Sequence, residues 1–182
     1  CPYVPVMSRP DTTDNIALVG FMGCGKSSVG RFVAGRLGYE FVDTDELVER
    51  GAGRPISTIF AEQGEEAFRE LEREVLTSLA GRHKMLISTG GGLITYKDNL
   101  ALLKDIAVVV CLWAGPETIW SRVSRQTHRP LLNGDNPRET IKRLLGEREP
   151  FYRQADILVN TDRRSMKQVG MQVIHQFRLF GK

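Results

Sequence analysis

The sequence predicts an α/β fold with a parallel sheet covered by helices on both faces. Five short apolar runs alternate with amphipathic helical patterns, as in chains built from strand–helix–strand crossovers. The first run opens directly into Gly-Phe-Met-Gly-Cys-Gly-Lys-Ser at residues 20–27, which is followed by a helical pattern. A chain of 182 residues suits one such domain.

Ile16-Ala17-Leu18-Val19 reads as a buried first strand. Beyond the glycine-rich turn, Val29, Phe32, Val33, Arg36 and Leu37 recur at three- and four-residue steps, and Gly38 ends that helix. Residues 39–43 form the second strand. Thr44-Asp45 opens a helix over 46–50, closed by Gly51-Ala52-Gly53. Pro55 stands at the start of the next helix, with Ile56, Ile59 and Phe60 on its apolar face. Gly64 interrupts it. A long amphipathic helix follows, marked by Phe68, Leu71, Val75 and Leu79. Residues 85–89 are the third strand, ending at Gly90-Gly91-Gly92. A helix over 97–103 leads to a fourth strand over 106–112, and Pro116 opens a helix to 123. Residues 124–136 are polar and rich in turn formers, the expected mobile lid. A helix over 137–153, with Pro150 near its end, a strand over 156–160 and a helix over 166–180 complete the chain. Residues 1–14 are expected to be a flexible N-terminal segment, with Met7 a possible native start, and residues 15–182 a single domain. Repeats, low-complexity stretches and linkers are absent from the sequence.

Apolar residues make up 41% of the chain and charged residues 26%, the profile of a soluble globular protein. The net charge of +3 comes without basic runs or aromatic–basic interleaving, so no nucleic-acid partner is expected. The longest near-apolar run, residues 106–114, is too short to span a bilayer as a helix, and no membrane partner is expected. Cys1, Cys24 and Cys111 form neither a disulfide framework nor a metal signature, which fits a reducing cytoplasm. His83, His128 and His175 have no ligand spacing, and Trp113 and Trp120 read as packing residues.

Residues 20–27 match the full G-x-x-x-x-G-K-[ST] phosphate-binding pattern. A strand, a glycine turn and a helix N-terminus aim several backbone N–H groups at one point, where phosphate oxygens bind. Lys26 would reach the β- and γ-phosphates of a nucleotide, and the Ser27 hydroxyl would sit on Mg²⁺. The backbone of Gly23, Cys24, Gly25, Lys26, Ser27 and Ser28 would cradle the phosphates. Asp43 and Asp45 lie two residues apart at a strand end. They could hold Mg²⁺ through water and orient a substrate hydroxyl, or could simply cap a helix. Next to a phosphate loop the first use is preferred. The Gly90–Gly92 run offers only backbone N–H groups for close approach to a ligand. Arg69, beside an apolar stripe and near Glu72, can fork onto a carboxylate or pair with Glu65 at the surface. Arg148, between Glu147 and Glu149, is equally open. Arg122, Arg125 and Arg129 fall in or beside the polar segment, where cations can stabilise a transferring phosphoryl group. For Arg125 a solvated surface role is preferred. Ligands of such sheets bind beyond the carboxyl ends of the strands, so these segments should converge on one crevice.

Taken together, these segments resemble the shikimate kinase family. The resemblance runs from about residue 16 to 162. It includes residues 20–27, Phe-Val-Asp-Thr-Asp (41–45), Ile-Phe-Ala-Glu-Gln-Gly-Glu-Glu-Ala-Phe-Arg (59–69), Ser-Thr-Gly-Gly-Gly (88–92), Arg-Pro-Leu-Leu (129–132) and Glu-Arg-Glu-Pro-Phe-Tyr (147–152). It implies a three-layer α/β/α P-loop kinase with sheet order 2-3-1-4-5. The implied reaction moves the γ-phosphoryl group of ATP to the 3-hydroxyl of shikimate, within aromatic amino-acid biosynthesis. Asp45 would hold the reacting hydroxyl. Arg69 and Arg148 would clamp the acceptor carboxylate, and Gly90, Gly91 and Gly92 would hold another face of the ring. Arg129 would be the lid arginine and Arg122 would lie near the adenine. Ser27, with Asp43 through water, would hold Mg²⁺. A monomer is expected. Ser28 stands where many members have Thr, and the Arg often found after Asn99 is missing. A gluconate-type or nucleoside-monophosphate kinase is the alternative. A GTP-dependent switch would need an Asn-Lys-x-Asp tetrapeptide, which the sequence lacks.

Overall fold

The computed structural model describes residues 14–124 and 136–180. Its strands are β1 (Ile16–Val19), β2 (Glu40–Asp43), β3 (Met85–Ser88), β4 (Val108–Trp113) and β5 (Ile157–Asn160). Among the described residues the α-helices are α1 (Lys26–Leu37), α2 (Thr44–Ala52), α3 (Ile56–Ser78), α4 (Asn99–Ile106), α5 (Pro116–Val123), α6 (Pro137–Tyr152) and α7 (Met166–Phe180). The strands form one parallel sheet in the order β2-β3-β1-β4-β5.

β1 lies at the centre because Ile-Ala-Leu-Val tolerates burial on both faces. Ile16 pairs with Leu86 of β3 on one side and Val108 of β4 on the other. At the sheet edge, β5 alternates buried Ile157 and Val159 with exposed Leu158 and Asn160. α1 and α7 pack against each other beside the sheet. The chain passes from β1 across β3 to β2, whereas from β3 it crosses to β4 on the opposite side. That reversal opens a crevice at the carboxyl ends of β1 and β3, where open α/β sheets bind ligands.

The amino end of β1 is pinned by one side chain. Buried Asn15 donates to the carbonyls of Arg82 and Ile106 at 2.7 and 2.9 Å, and accepts from the Met85 amide at 2.8 Å. A separate small core of Val48, Ile59 and Phe68 joins α2 to α3 beneath the start of the long amphipathic stretch.

Several boundaries differ from those expected. The helix expected over 97–103 begins at Asn99, because Lys97 has a positive φ of 44° and Asp98 takes the cap position. It runs on to Ile106, so β4 begins at Val108 rather than at 106. The uniform apolar character from 106 to 112 conceals that helix end. α2 is longer than expected because Asp43 caps its start and Gly53, at φ 66°, closes it. Gly64, at φ 81° and ψ −180°, divides α3 into two helical stretches. A 3₁₀ turn at Leu93–Thr95, unforeseen from sequence, follows the glycine run. The expected lid at 124–136 lies almost entirely outside the described residues, as does nearly all of the N-terminal segment 1–14.

Candidate active site

A cavity of about 460 Å³ opens at the carboxyl ends of β1, β2 and β3. One wall is the phosphate loop with Gly23, Lys26 and Ser27; the other holds Asp43, Asp45 and Gly90. α1 starts at Lys26, and its cap residue Gly25 brings no side chain to its first amides. Those amides and the helix dipole therefore remain available to an anion. The Lys26 ammonium donates to the carbonyl oxygens of Gly20 and Phe21 at 2.8 and 3.1 Å, which keeps it folded over the loop.

The aspartates do not share a strand face, because the chain turns into α2 directly after Asp43. Asp43 divides its oxygens between two tasks. Oδ1 accepts the Asp45 amide at 3.1 Å and caps α2, while Oδ2 faces the Ser27 hydroxyl at 3.5 Å. The helix-cap and metal-side uses are thus compatible. Asp45 points one buried oxygen, Oδ1, into the site without a hydrogen-bond partner. Burial, reinforced by Asp43, raises its pKa above the ordinary carboxylate value.

Arg69 projects from α3 into a carboxylate cluster. Its Nη1 donates to Oε2 of buried Glu72 at 2.6 Å, and its Nη2 and Nε donate to Oε1 of Glu65 at 3.0 and 3.3 Å. The second Glu72 oxygen, Oε1, is also buried without a partner. Burial pushes the Glu72 carboxyl up to about 7, against the pull of Arg69. The glycine run fits between these groups because it lacks side chains. A Cβ on Gly90 would sit 2.9 Å from both Asp45 Oδ1 and Glu72 Oε1, and one on Gly92 would sit 2.6 Å from Arg69 Nη2. Both carboxylate oxygens therefore lie within 5.8 Å of each other. Thr44 Oγ1 accepts the Gly90 amide at 3.2 Å, and the Tyr152 hydroxyl donates to the Gly91 carbonyl at 2.7 Å. One helical turn before Tyr152, Arg148 stacks its guanidinium over Phe21, 5.4 Å from the ring centre, and faces Gly91.

A second cavity, about 240 Å³, lies beside the phosphate loop and is lined by Cys24, Ser28, Arg122 and Thr161. Arg122 is fixed by the Gly23 carbonyl and by Thr161, through both its hydroxyl and its carbonyl. Cys24 is buried, and burial raises its thiol pKa, which makes it a packing residue with little thiolate character.

The structure therefore gathers Lys26, Ser27, Asp43, Asp45, Gly90 and Gly91 around one cavity, with Arg69, Gly92 and Arg148 behind it. Cys24 falls on the second cavity rather than the first. Arg125 and Arg129 lie outside the described residues. Sequence reasoning did not assign the supporting roles of Glu72, Thr44, Tyr152 and Thr161. Glu72 had a usable signal, since a carboxylate three residues after an arginine shares its helix face. Tyr152 and Thr161 had none, because their partners are distant in sequence. Among the described residues no group of three His, Cys, Asp or Glu side chains could hold a metal ion by itself. No described helix is long and apolar enough to cross a membrane.

A phosphate loop facing an acidic pocket, on a parallel sheet of order 2-3-1-4-5, defines a P-loop phosphotransferase. The shikimate kinase family profile matches residues 22–178, and the chain belongs to that family. It is 45% identical to the shikimate kinase of Pelotomaculum thermopropionicum over 161 residues, covering 88% of this chain and 94% of that protein. With the shikimate kinase of Thermodesulfovibrio yellowstonii it shares 41% identity over 163 residues, 90% and 94% of the two chains. The solved shikimate kinase from Acinetobacter baumannii, in complex with shikimate, superposes with a TM-score of 0.86 at 38% identity, covering 92% of this chain and 94% of that one. A gluconokinase from Sinorhizobium meliloti 1021, at 16% identity and a TM-score of 0.59, shares the fold alone.

Proposed function

We propose that this chain transfers the γ-phosphoryl group of ATP to the 3-hydroxyl of shikimate, giving shikimate 3-phosphate and ADP. The observation that carries the reading is the unpartnered buried oxygen of Asp45 facing the phosphate loop across one cavity, with Arg69 and Arg148 behind it. Such an oxygen suits a hydroxyl donor, and its raised pKa makes Asp45 a better proton acceptor than an ordinary carboxylate. Lys26 would exchange its two carbonyl partners for phosphate oxygens. Arg69 and Arg148 would clamp the acceptor carboxylate, with Gly90, Gly91 and Gly92 against its ring. The second cavity, walled by Arg122, suits the nucleotide base. Arg129 would act from the lid at 124–136 within a single kinase domain spanning 15–182.

The hard oxygens of Ser27 and Asp43, without a complete protein cage, fit Mg²⁺, which binds mainly through phosphates and water. Bound there, the ion would neutralise charge on the phosphate oxygens. A monomer is the proposed state. The buried free thiols of Cys24 and Cys111 suit the reducing cytoplasm. A nucleotide acceptor would bring no carboxylate to match Arg69. The test is coupled ATP consumption with shikimate, gluconate and nucleoside monophosphates in parallel. Turnover confined to shikimate is expected, and preferential use of either other acceptor would overturn the reading.

A further inference from the structure

We infer that Glu65 is an internal competitor for the acceptor carboxylate, occupying the Arg69 guanidinium until substrate displaces it; this rests on the acceptor reading above. The guanidinium already carries two carboxylates of the protein. Glu72 holds Nη1 at 2.6 Å, while a single Glu65 oxygen takes both Nε and Nη2, at 3.3 and 3.0 Å. The Nε/Nη2 pair is an edge of the fork suited to two-point binding of a carboxylate. Gly92 approaches the group closely as well, since a Cβ there would sit 2.6 Å from Nη2 and 3.1 Å from Nη1. An incoming carboxylate is therefore a third anion on one cation, and seating it at two points on an edge already held displaces one of the two protein carboxylates.

The geometry selects which. Glu72 is wholly buried, so releasing it would strand a charge without water. Glu65 keeps 67% of its side chain exposed and hydrates freely once released, whereas Arg69 itself is only 13% exposed. Acceptor binding is thus an exchange of carboxylates on Arg69, with nearly constant local charge. Glu65 lowers apparent acceptor affinity by the strength of its own pair. It also disfavours anions that hold the fork at a single point.

The test is Glu65→Gln, which removes the charge at an exposed position and keeps the size. An exposed or half-exposed pair of this kind limits acceptor affinity by roughly two- to five-fold. The shikimate KM should fall by about that factor, with the change in KM exceeding that in kcat. Loss of an i,i+4 pair should leave the melting temperature the same or about 1–2 °C lower. Tighter binding without a gain in stability is the signature of a competitor. An unchanged or raised KM overturns the inference. The same substitution is then made in an Arg69→Met background, where Glu65 has no guanidinium to occupy. The gain should vanish there; an equal gain would mean that Glu65 acts through its general field, and the inference fails. If Arg69→Met alone leaves the shikimate KM unchanged, the acceptor reading fails first and takes the exchange with it.

Discussion

Glu72→Gln should make this protein more stable at alkaline pH while weakening its use of acceptor. In the folded chain burial holds the Glu72 carboxyl at about 7, against an ordinary value of 4.5. At about 1.4 kcal/mol per pH unit, its ionised form destabilises the fold by about 3 kcal/mol relative to an unfolded chain. The sign follows from proton binding. Between pH 4.5 and 7 the folded state carries a proton that the unfolded state has lost, so this group's contribution is most favourable at and below 4.5 and is lost as pH rises through 7. Glutamine mimics the protonated form at every pH. The variant and wild type should therefore be similar near pH 4.5 and diverge to about 3 kcal/mol by pH 8, with the variant more stable. Arg69 retains Glu65 but loses its charged buried partner. An amide in place of that carboxylate weakens the bond by about 1 kcal/mol, which should raise the shikimate KM by roughly five-fold. The assay is urea unfolding of both proteins across pH 4.5–8, with shikimate kinetics alongside. A stability difference that is flat with pH, or one that favours wild type increasingly above 7, would refute the burial argument. Taking the difference between the two proteins cancels the other titrating groups.

The remaining predictions separate catalysis from folding. Lys26→Ala should lower turnover by about 10²- to 10³-fold with the fold intact, since its side chain is only half-buried and lines the cavity; near-normal turnover would exclude its assignment to the phosphates. Gly92→Ala would place a methyl 2.6 Å from Arg69 Nη2, the movable end of a long side chain. It should cost less than about 1 kcal/mol of stability yet raise the shikimate KM about ten-fold, and equal binding by the variant would show that Arg69 does not need this position. Asn15→Ala removes three hydrogen bonds of a buried side chain at the far end of the sheet. A loss of about 3 kcal/mol in urea unfolding is expected, with the kinetic constants unchanged.

The sheet, its helices and the phosphate loop were legible because their signals are local. Ile16–Val19 is apolar at every position, the glycine-rich turn has a fixed spacing, and helices α5 and α7 begin and end where their patterns do. Boundaries failed where one apolar run served two elements, as at Ile106, or where a backbone angle decided, as at Lys97. Residue types alone made Asp43, Asp45, Arg69 and the three glycines candidates, but each also had an ordinary use as a helix cap, a surface pair or a turn. Tertiary structure supplied the surroundings on which a choice among those uses rests. It buried an Asp45 oxygen without a donor, set Glu72 beside it across Gly90, and brought Tyr152 onto the Gly91 carbonyl from 61 residues away. Burial and charge depend on which segments meet, and that is set by the order of strands in the sheet. The sequence specifies the chemistry each segment carries; only the connections leaving β1 and β3 in opposite directions along the sheet bring those segments to one crevice.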